Sequence, residues 1–118
     1  MQYSIKNGEV IARGKWPMTK AAALKESIRK YKWMVAWHKA HPKAPAQISD
    51  GDSCALCELY YDKGLGGCEG CPVSKYTGLS KCQKTPWQEY DKERNPILAR
   101  AYAQAEITFL EDIGEIYA

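Results

Sequence analysis

Five cysteines in the middle of the chain have the spacing of a metal site. Two CxxC pairs, Cys54 with Cys57 and Cys68 with Cys71, are separated by ten residues, and Cys82 follows the second pair. Each pair can present two thiolates from one turn, and four thiolates in a tetrahedral arrangement are a preferred ligand set of zinc. We therefore predict a Zn²⁺ site formed by the two pairs, with Cys82 as an alternative ligand.

Two other chemistries use the same residue type. An iron–sulfur cluster is the alternative cofactor, because cysteine thiolates also hold such clusters, although the compact spacing of bacterial ferredoxin motifs is absent here. A redox enzyme would need one exposed thiolate pair of low pKa, whereas two pairs in a glycine-rich segment favour ligation of a shared metal. The odd number of cysteines argues against a framework of disulfides.

His38 and His41 lie three residues apart and provide a further candidate site. They can contribute to a second metal site or to a mixed Cys/His site. Alternatively, both are imidazole groups at a helix C-terminus, where a positive charge is favourable. The chain contains no HExxH motif, no zinc deaminase motif and no recognisable Ser/His/Asp set. We therefore predict a non-enzymatic protein and keep a metal-dependent or redox enzyme as an alternative.

The elements that must carry these residues begin with a hairpin. Asn7 and Gly8 favour a type I′ turn, because both tolerate positive φ. The resulting register pairs Ile5 with Val10 and Tyr3 with Ala12. One face of this hairpin is apolar and requires a cover, for which the first helix is the natural candidate.

The first helix is predicted from a cap at Thr19 to about His41, where Pro42 ends it. Its apolar stripe is Leu24, Ile28, Tyr31 and Val35. Prolines occupy the first helical position after two further caps, Thr85 and Asn95. They predict a short helix running to about Arg94 and a long terminal helix that stops near Gly114. The stripe of the terminal helix is Leu98, Tyr102, Ala105, Phe109 and Ile113.

The pattern predicts one domain, residues 1–118, of the α+β class and mainly helical. It comprises an N-terminal β-hairpin, two long helices and a short one around a zinc-knuckle (four-cysteine) loop segment. Residues 53–82 form the metal-stapled subregion. In that subregion the metal replaces a core, because few large aliphatic side chains are present.

Positive charge is concentrated in the first helix and its flanks, although the net charge of the chain is only +3. Between residues 13 and 43 nine basic residues are opposed by Glu26 alone. We predict that the helix and the loop lysines bind nucleic acid through phosphate contacts and aromatic stacking. The predicted contact residues, for nucleic acid or a protein partner, are Lys25, Arg29, Lys32, Trp33, Trp37, Lys39, Lys81 and Lys84. The alternative is intramolecular, with acids of the terminal helix neutralising the basic face.

The cysteine segment resembles a pattern of small, functionally uncharacterised phage and prophage proteins. The resemblance rests on Cys54-Ala-Leu-Cys57, on Cys68-Glu-Gly-Cys71-Pro72-Val73 and on Cys82-Gln-Lys-Thr85-Pro86-Trp87, and covers about a third of the chain. It implies an accessory protein acting in the cytoplasm of a bacterial host, and it favours Cys82 as a ligand or a neighbour of the site. It implies no active site.

The resemblance also raises an alternative function, inhibition or modulation of a host defence protein. Trp33, Trp37 and the acidic C-terminal segment would then form the contact surface. No apolar run approaches the ~20 residues of a membrane span, and no signal-peptide pattern is present at Met1. We therefore expect a cytoplasmic protein without a membrane partner.

Overall fold

A computed structural model describes residues 1–49, 55–56, 71–77, 85–91 and 93–117 of the chain. The architecture is α+β and mainly helical, with an N-terminal hairpin. Its elements in chain order are β1 (Gln2–Lys6), β2 (Glu9–Arg13), α1 (Lys20–Ala40), α2 (Pro72–Thr77), α3 (Pro86–Tyr90) and α4 (Pro96–Tyr117). The predicted residues Cys54, Cys57, Cys68, Lys81, Cys82 and Lys84 lie outside the described residues, and with them most of the predicted zinc-knuckle segment.

The hairpin forms in the predicted register. Ile5 pairs with Val10 and Tyr3 with Ala12, and both turn residues have positive φ, 53° at Asn7 and 76° at Gly8. Positive φ at both positions is typical of the predicted type I′ turn, whose twist matches that of two antiparallel strands. Val10 is buried, and the partly buried Tyr3 and Ile5 pack against the same core, so the apolar face of the hairpin is covered as expected.

The free edge of β2 is extended by the connector that follows α1. The Val10 amide donates to the carbonyl of Ile48 at 2.8 Å, and the Ile48 amide donates to the carbonyl of Gly8 at 2.7 Å. These two bonds form a short parallel bridge beside the hairpin. The connector, which the sequence marked only by its prolines and small polar residues, is therefore fixed to the sheet.

Helix α1 begins and ends where its capping residues predict. The Thr19 hydroxyl oxygen accepts a hydrogen bond from the Ala22 amide at 3.2 Å, and the His41 amide donates to the Trp37 carbonyl at 2.9 Å. The helix stops at Ala40 because the residue before Pro42 is disfavoured in the α region.

Helices α1 and α4 pack antiparallel and supply most of the core. Gly114 lies against Leu24 at one end of the pair, while the charge of Arg100 acts on His38 at the other. Ala99 and Ala103 are completely buried, and their small side chains let the two helices approach closely. The other core residues of the pair are Ala23, Leu24, Tyr31, Met34, Val35, Ile107, Leu110 and Ile113.

The predicted apolar stripe of α4 was partly wrong. Leu98 is 43% exposed and Ala105 is exposed, whereas Ala99 and Ala103 occupy the core instead. Apolar residues occur on several faces of this helix, so periodicity alone did not select one. Contact with α1 selects the face that carries the alanines, because that face allows the closer approach.

Two predicted helix ends were also wrong. Gly114 does not stop α4, which continues to Tyr117. This glycine instead allows α4 to approach α1 closely, because a Cβ there would lie 3.3 Å from Cδ2 of Leu24. Helix α3 ends at Tyr90, not near Arg94. The Glu93 carbonyl binds the Ala46 amide at 2.8 Å instead of extending the helix, and Pro96 disfavours helical backbone just before it.

The α1–α4 interface also contains buried polar residues. Ser27, Lys30 and Glu106 are each 3% exposed or less, and the Lys30 ammonium group lies 5.5 Å from the centre of the Tyr31 ring. Lys30 therefore belongs to the interior, although the sequence counted it with the basic residues of α1.

Candidate nucleic-acid interface

Four of the predicted contact residues form one exposed stripe along α1. Lys25, Arg29, Lys32 and Lys39 are all exposed, and their spacings of four, three and seven residues keep them on one side of the helix. The opposite side of α1 is buried against α4, so packing of the core holds this basic stripe towards solvent. The stripe is about 21 Å long, at a rise of 1.5 Å per residue.

The charges of the basic stripe are largely uncompensated within the described part of the chain. Arg29 forms an ion pair with Glu26 at 3.0 Å, but none of the three lysines of the stripe does so with a described residue. Exposed acids of α4, namely Glu111, Asp112 and Glu115, likewise make no ion pair there. The exposed acids of α4 therefore do not neutralise the lysines of the stripe within the part of the chain that the structure describes.

An open groove lies beside the middle of the stripe, between β1 and α1. Its lining residues are Gln2, Tyr3, Arg29, Lys32 and Trp33, and its volume is about 510 Å³. The Tyr3 and Trp33 ring centres are 6.0 Å apart, and the guanidinium carbon of Arg29 lies 5.8 Å from the centre of the Tyr3 ring. The groove therefore combines aromatic surface with two cationic groups.

Glu26 organises this groove, a role that the sequence did not predict. Its Oε2 accepts hydrogen bonds from the Tyr3 hydroxyl at 2.5 Å and from Nη1 of Arg29 at 3.0 Å, while the Met1 amino group lies 3.7 Å from Oε1. Arg29 Nη1 also donates to the Met1 carbonyl. One carboxylate thus joins β1 to α1. In the sequence, Glu26 stood out only as the single acid between residues 13 and 43.

The two predicted tryptophans lie in different surroundings. Trp33 is half-buried beside Tyr3 in the groove, whereas Trp37 stacks on His41, with ring centres 4.3 Å apart and an angle of 21° between the rings. His41 Nδ1 donates to the Trp37 carbonyl at 2.9 Å. One face of Trp37 is therefore covered by an imidazole at the C-terminus of α1.

His38 and His41 point to different environments. His38 is 3% exposed, and its Nε2 lies 2.9 Å from the Tyr90 hydroxyl, which accepts the Gln47 amide at 2.9 Å. Among the described residues Nδ1 of His38 has no hydrogen-bond partner. Because His41 is exposed while His38 is buried, a metal site shared by the two histidines is not supported.

Burial perturbs both members of the His38–Tyr90 pair. Desolvation lowers the pKa of His38, and the nearby positive charges of His41 and Arg100 lower it further. Desolvation raises the pKa of Tyr90 to about 12; the hydrogen bond from Gln47 opposes this shift, and the charge of Asp91 adds to it. Both groups are therefore neutral at neutral pH, and the tyrosine hydroxyl can donate to Nε2.

Residues next to both CxxC pairs lie in the main core. Ala55 and Leu56, inside the first pair, are buried, and so are Cys71 and Val73 at the second pair. No group of three His, Cys, Asp or Glu side chains suitable for a metal occurs within the residues that the structure describes. Of the predicted ligands, Cys71 alone is among the described residues, and it is 3% exposed; the metal site stays a prediction.

Comparison with known proteins identifies no relative: no protein-family model, curated protein or solved structure matches the chain. Searched over the described residues, the helices include none with the length and apolar character of a membrane span.

Proposed function

We propose that the protein is a non-enzymatic, zinc-stabilised binding protein and that nucleic acid is its ligand. The observation that carries this proposal is the basic stripe: three exposed lysines and Arg29 on one side of α1, with a groove containing Trp33 beside them. The three lysines form no ion pair with described residues, so their charge is available to phosphates.

The expected binding is largely electrostatic. Lysine contacts with phosphates release condensed counterions, so affinity falls as salt rises, with a slope of log K against log salt of about −0.7 to −0.9 per contact. A stripe about 21 Å long extends over several phosphates of one strand, which are about 3.4 Å apart along a duplex axis. The lysines alone would then account for a slope of about −2 to −3.

Salt titration of binding tests this function. Fluorescence anisotropy with labelled single-stranded and duplex oligonucleotides would be recorded over a range of salt concentrations. We expect the triple variant Lys25→Gln/Lys32→Gln/Lys39→Gln to bind more weakly and to have a slope shallower by about 2 to 3. Lys6→Gln, at an exposed lysine next to the hairpin turn, is the control and should keep the original slope. Absence of binding to every oligonucleotide, or a slope that the triple variant leaves unchanged, would overturn the proposal.

The zinc is proposed to stabilise the central segment and to have no catalytic role. The ligands would be Cys54, Cys57, Cys68 and Cys71, with Cys82 as the alternative to one of them. Support comes from Ala55 and Leu56, between the cysteines of the first pair, and from Cys71 of the second, since all three are buried in one core. An iron–sulfur cluster remains the alternative cofactor.

Metal analysis of anaerobically purified protein tests this assignment. We expect about one zinc per chain and one reactive thiol, since a closed tetrahedral site uses four cysteines. Cys71→Ser should then lose zinc and destabilise the fold, because metal binding energy in such sites is folding energy. Iron with broad visible absorption would indicate the cluster, and no metal at all would reject both.

A second candidate function is binding of a host protein, and the exposed apolar side chains favour it. Ile97 is 74% exposed and Leu98 43% exposed at the start of α4, in addition to the predicted contacts Trp33 and Trp37. A partner that docks on Ile97 and Leu98 would lose affinity with Ile97→Lys but not with the lysine variants of the basic stripe. The two functions are therefore separable by variants on different helices.

A further inference from the structure

The groove between β1 and α1 differs from the basic stripe in what it can recognise. The stripe presents charge alone, and any polyanion can satisfy it. The groove adds the half-buried rings of Tyr3 and Trp33, which lie beside the basic stripe. A ligand that uses both must carry phosphates and also a flat apolar group that can enter the groove.

We infer that the groove is a stacking site for one unpaired base, so that the protein selects single-stranded over duplex nucleic acid. This inference rests on the proposed nucleic-acid binding. Bases within a duplex are stacked on one another and offer only their edges, whereas a single strand can turn a base out onto an aromatic ring. A duplex would contact the lysines and leave the groove empty.

The ring pair is held in place before any ligand binds. Glu26 bonds the Tyr3 hydroxyl and Arg29, and the guanidinium group lies over the Tyr3 ring. Trp33 is part of α1, and its ring lies next to that of Tyr3. A site whose aromatic surface is already ordered loses little conformational entropy on binding.

Arg29 and Lys32 supply the phosphate contacts at the groove. Among the described residues, Glu26 and the Met1 carbonyl bind Nη1 of Arg29, although a guanidinium group has five N–H donors. The donors on its other nitrogens bond no described residue. Lys32 is exposed at the same groove, so a base on Trp33 would have its own phosphate within reach of two cations.

The test compares a labelled oligothymidine of about 12 nucleotides, within the range of site sizes of known single-strand binders, with a duplex of the same length at low salt. We expect tighter binding of the single strand. Trp33→Leu should weaken single-strand binding about tenfold or more, in line with the loss of one stacked base, and leave duplex binding unchanged. Trp33→Phe should restore most of the loss, because it returns an aromatic face.

A second pair of variants avoids the packed ring and keeps the test decisive if Trp33→Leu does not fold. Gln2→Glu adds a negative charge at an exposed position in the groove, and Ser4→Glu adds the same charge at an exposed position of β1 outside the groove lining. We expect Gln2→Glu to weaken single-strand binding more than Ser4→Glu, with duplex binding affected equally by both.

The outcomes separate the two proposals. The stacking site would be overturned, while the proposed function stands, if single strand and duplex bound equally well, Trp33→Leu bound the single strand as tightly as wild type, and Gln2→Glu had no more effect than Ser4→Glu. Loss of all binding in the lysine variants but not in the groove variants would likewise overturn the stacking site alone. No binding of either nucleic acid by the wild-type protein would overturn the function and this inference together.

Discussion

Acidification should destabilise the protein through His38, and the structure determines the sign of this effect. His38 is buried with its pKa lowered from the ordinary value of 6.5, so the unfolded state takes up a proton at a higher pH than the folded state. Stability is therefore fully present above pH 6.5 and is lost as pH falls from 6.5 towards the lower pKa of the folded protein.

The size of this loss in the free energy of unfolding follows from the uptake of one proton by His38 in the unfolded state. Between the two pKa values the free energy of unfolding falls by about 1.4 kcal/mol per pH unit. If His38 stays neutral in the folded protein, lowering the pH from about 7.5 to about 5.5 removes about 1.4 kcal/mol in total, calculated with an unfolded value of 6.5. Protonation would also turn Nε2 from an acceptor into a donor and would displace the proton that the Tyr90 hydroxyl donates.

Urea unfolding at a series of pH values between these limits measures the effect. The variant His38→Gln lacks the titrating group and should lose this part of the pH dependence, even if it is less stable at every pH. His41→Gln removes an exposed histidine and should retain most of it. A wild-type stability that stays constant over this range, or a His38→Gln variant with the same slope as wild type, would refute the reasoning.

Three further substitutions test the packing. Tyr90→Phe should lower the free energy of unfolding by about 1–3 kcal/mol, because it leaves the Gln47 amide without its acceptor. Asn95→Ala should lower it by about 1 kcal/mol, since the Asn95 side chain accepts two amide hydrogen bonds at the start of α4. Gly114→Leu should lower it by about 1–3 kcal/mol through a clash with Leu24.

The same urea unfolding assay checks these three predictions, with circular dichroism to confirm helix content. Asn95→Asp is the control for the cap, because a carboxylate accepts the same bonds, and it should stay close to wild type. A Tyr90→Phe protein as stable as wild type would show that the Gln47 amide finds another acceptor. Full stability of Gly114→Leu would contradict the close approach of the two long helices.

Local sequence signals predicted the elements that depend on few residues. The turn at Asn7 and Gly8, the cap at Thr19 and the stop before Pro42 are each set by backbone sterics or one hydrogen bond. Each of these features appears where it was predicted. The end of α3 was missed because the Glu93 carbonyl bonds Ala46, a residue far away in the chain.

The contact residues of the site stay predictions, and the contacts that support the groove were not foreseen from the sequence. The basic and aromatic composition of α1 identified Lys25, Lys32 and Trp33 as candidates. The groove itself requires Tyr3 from β1, which Glu26 joins to α1. No periodicity in the sequence relates positions 3 and 26, so only the folded chain reveals that contact.

By itself, the sequence determined the hairpin, the start of each long helix and the cysteine pattern that predicts a metal, because these depend on neighbours within a few residues. Tertiary structure alone decided which face of α4 is buried and which polar side chains of α1 lie inside. Lys30 and Lys32 are two residues apart on α1, yet the first is 1% exposed and the second lies on the surface. Contact with α4 makes this difference, since it excludes water from one side of α1 and leaves the basic stripe on the other.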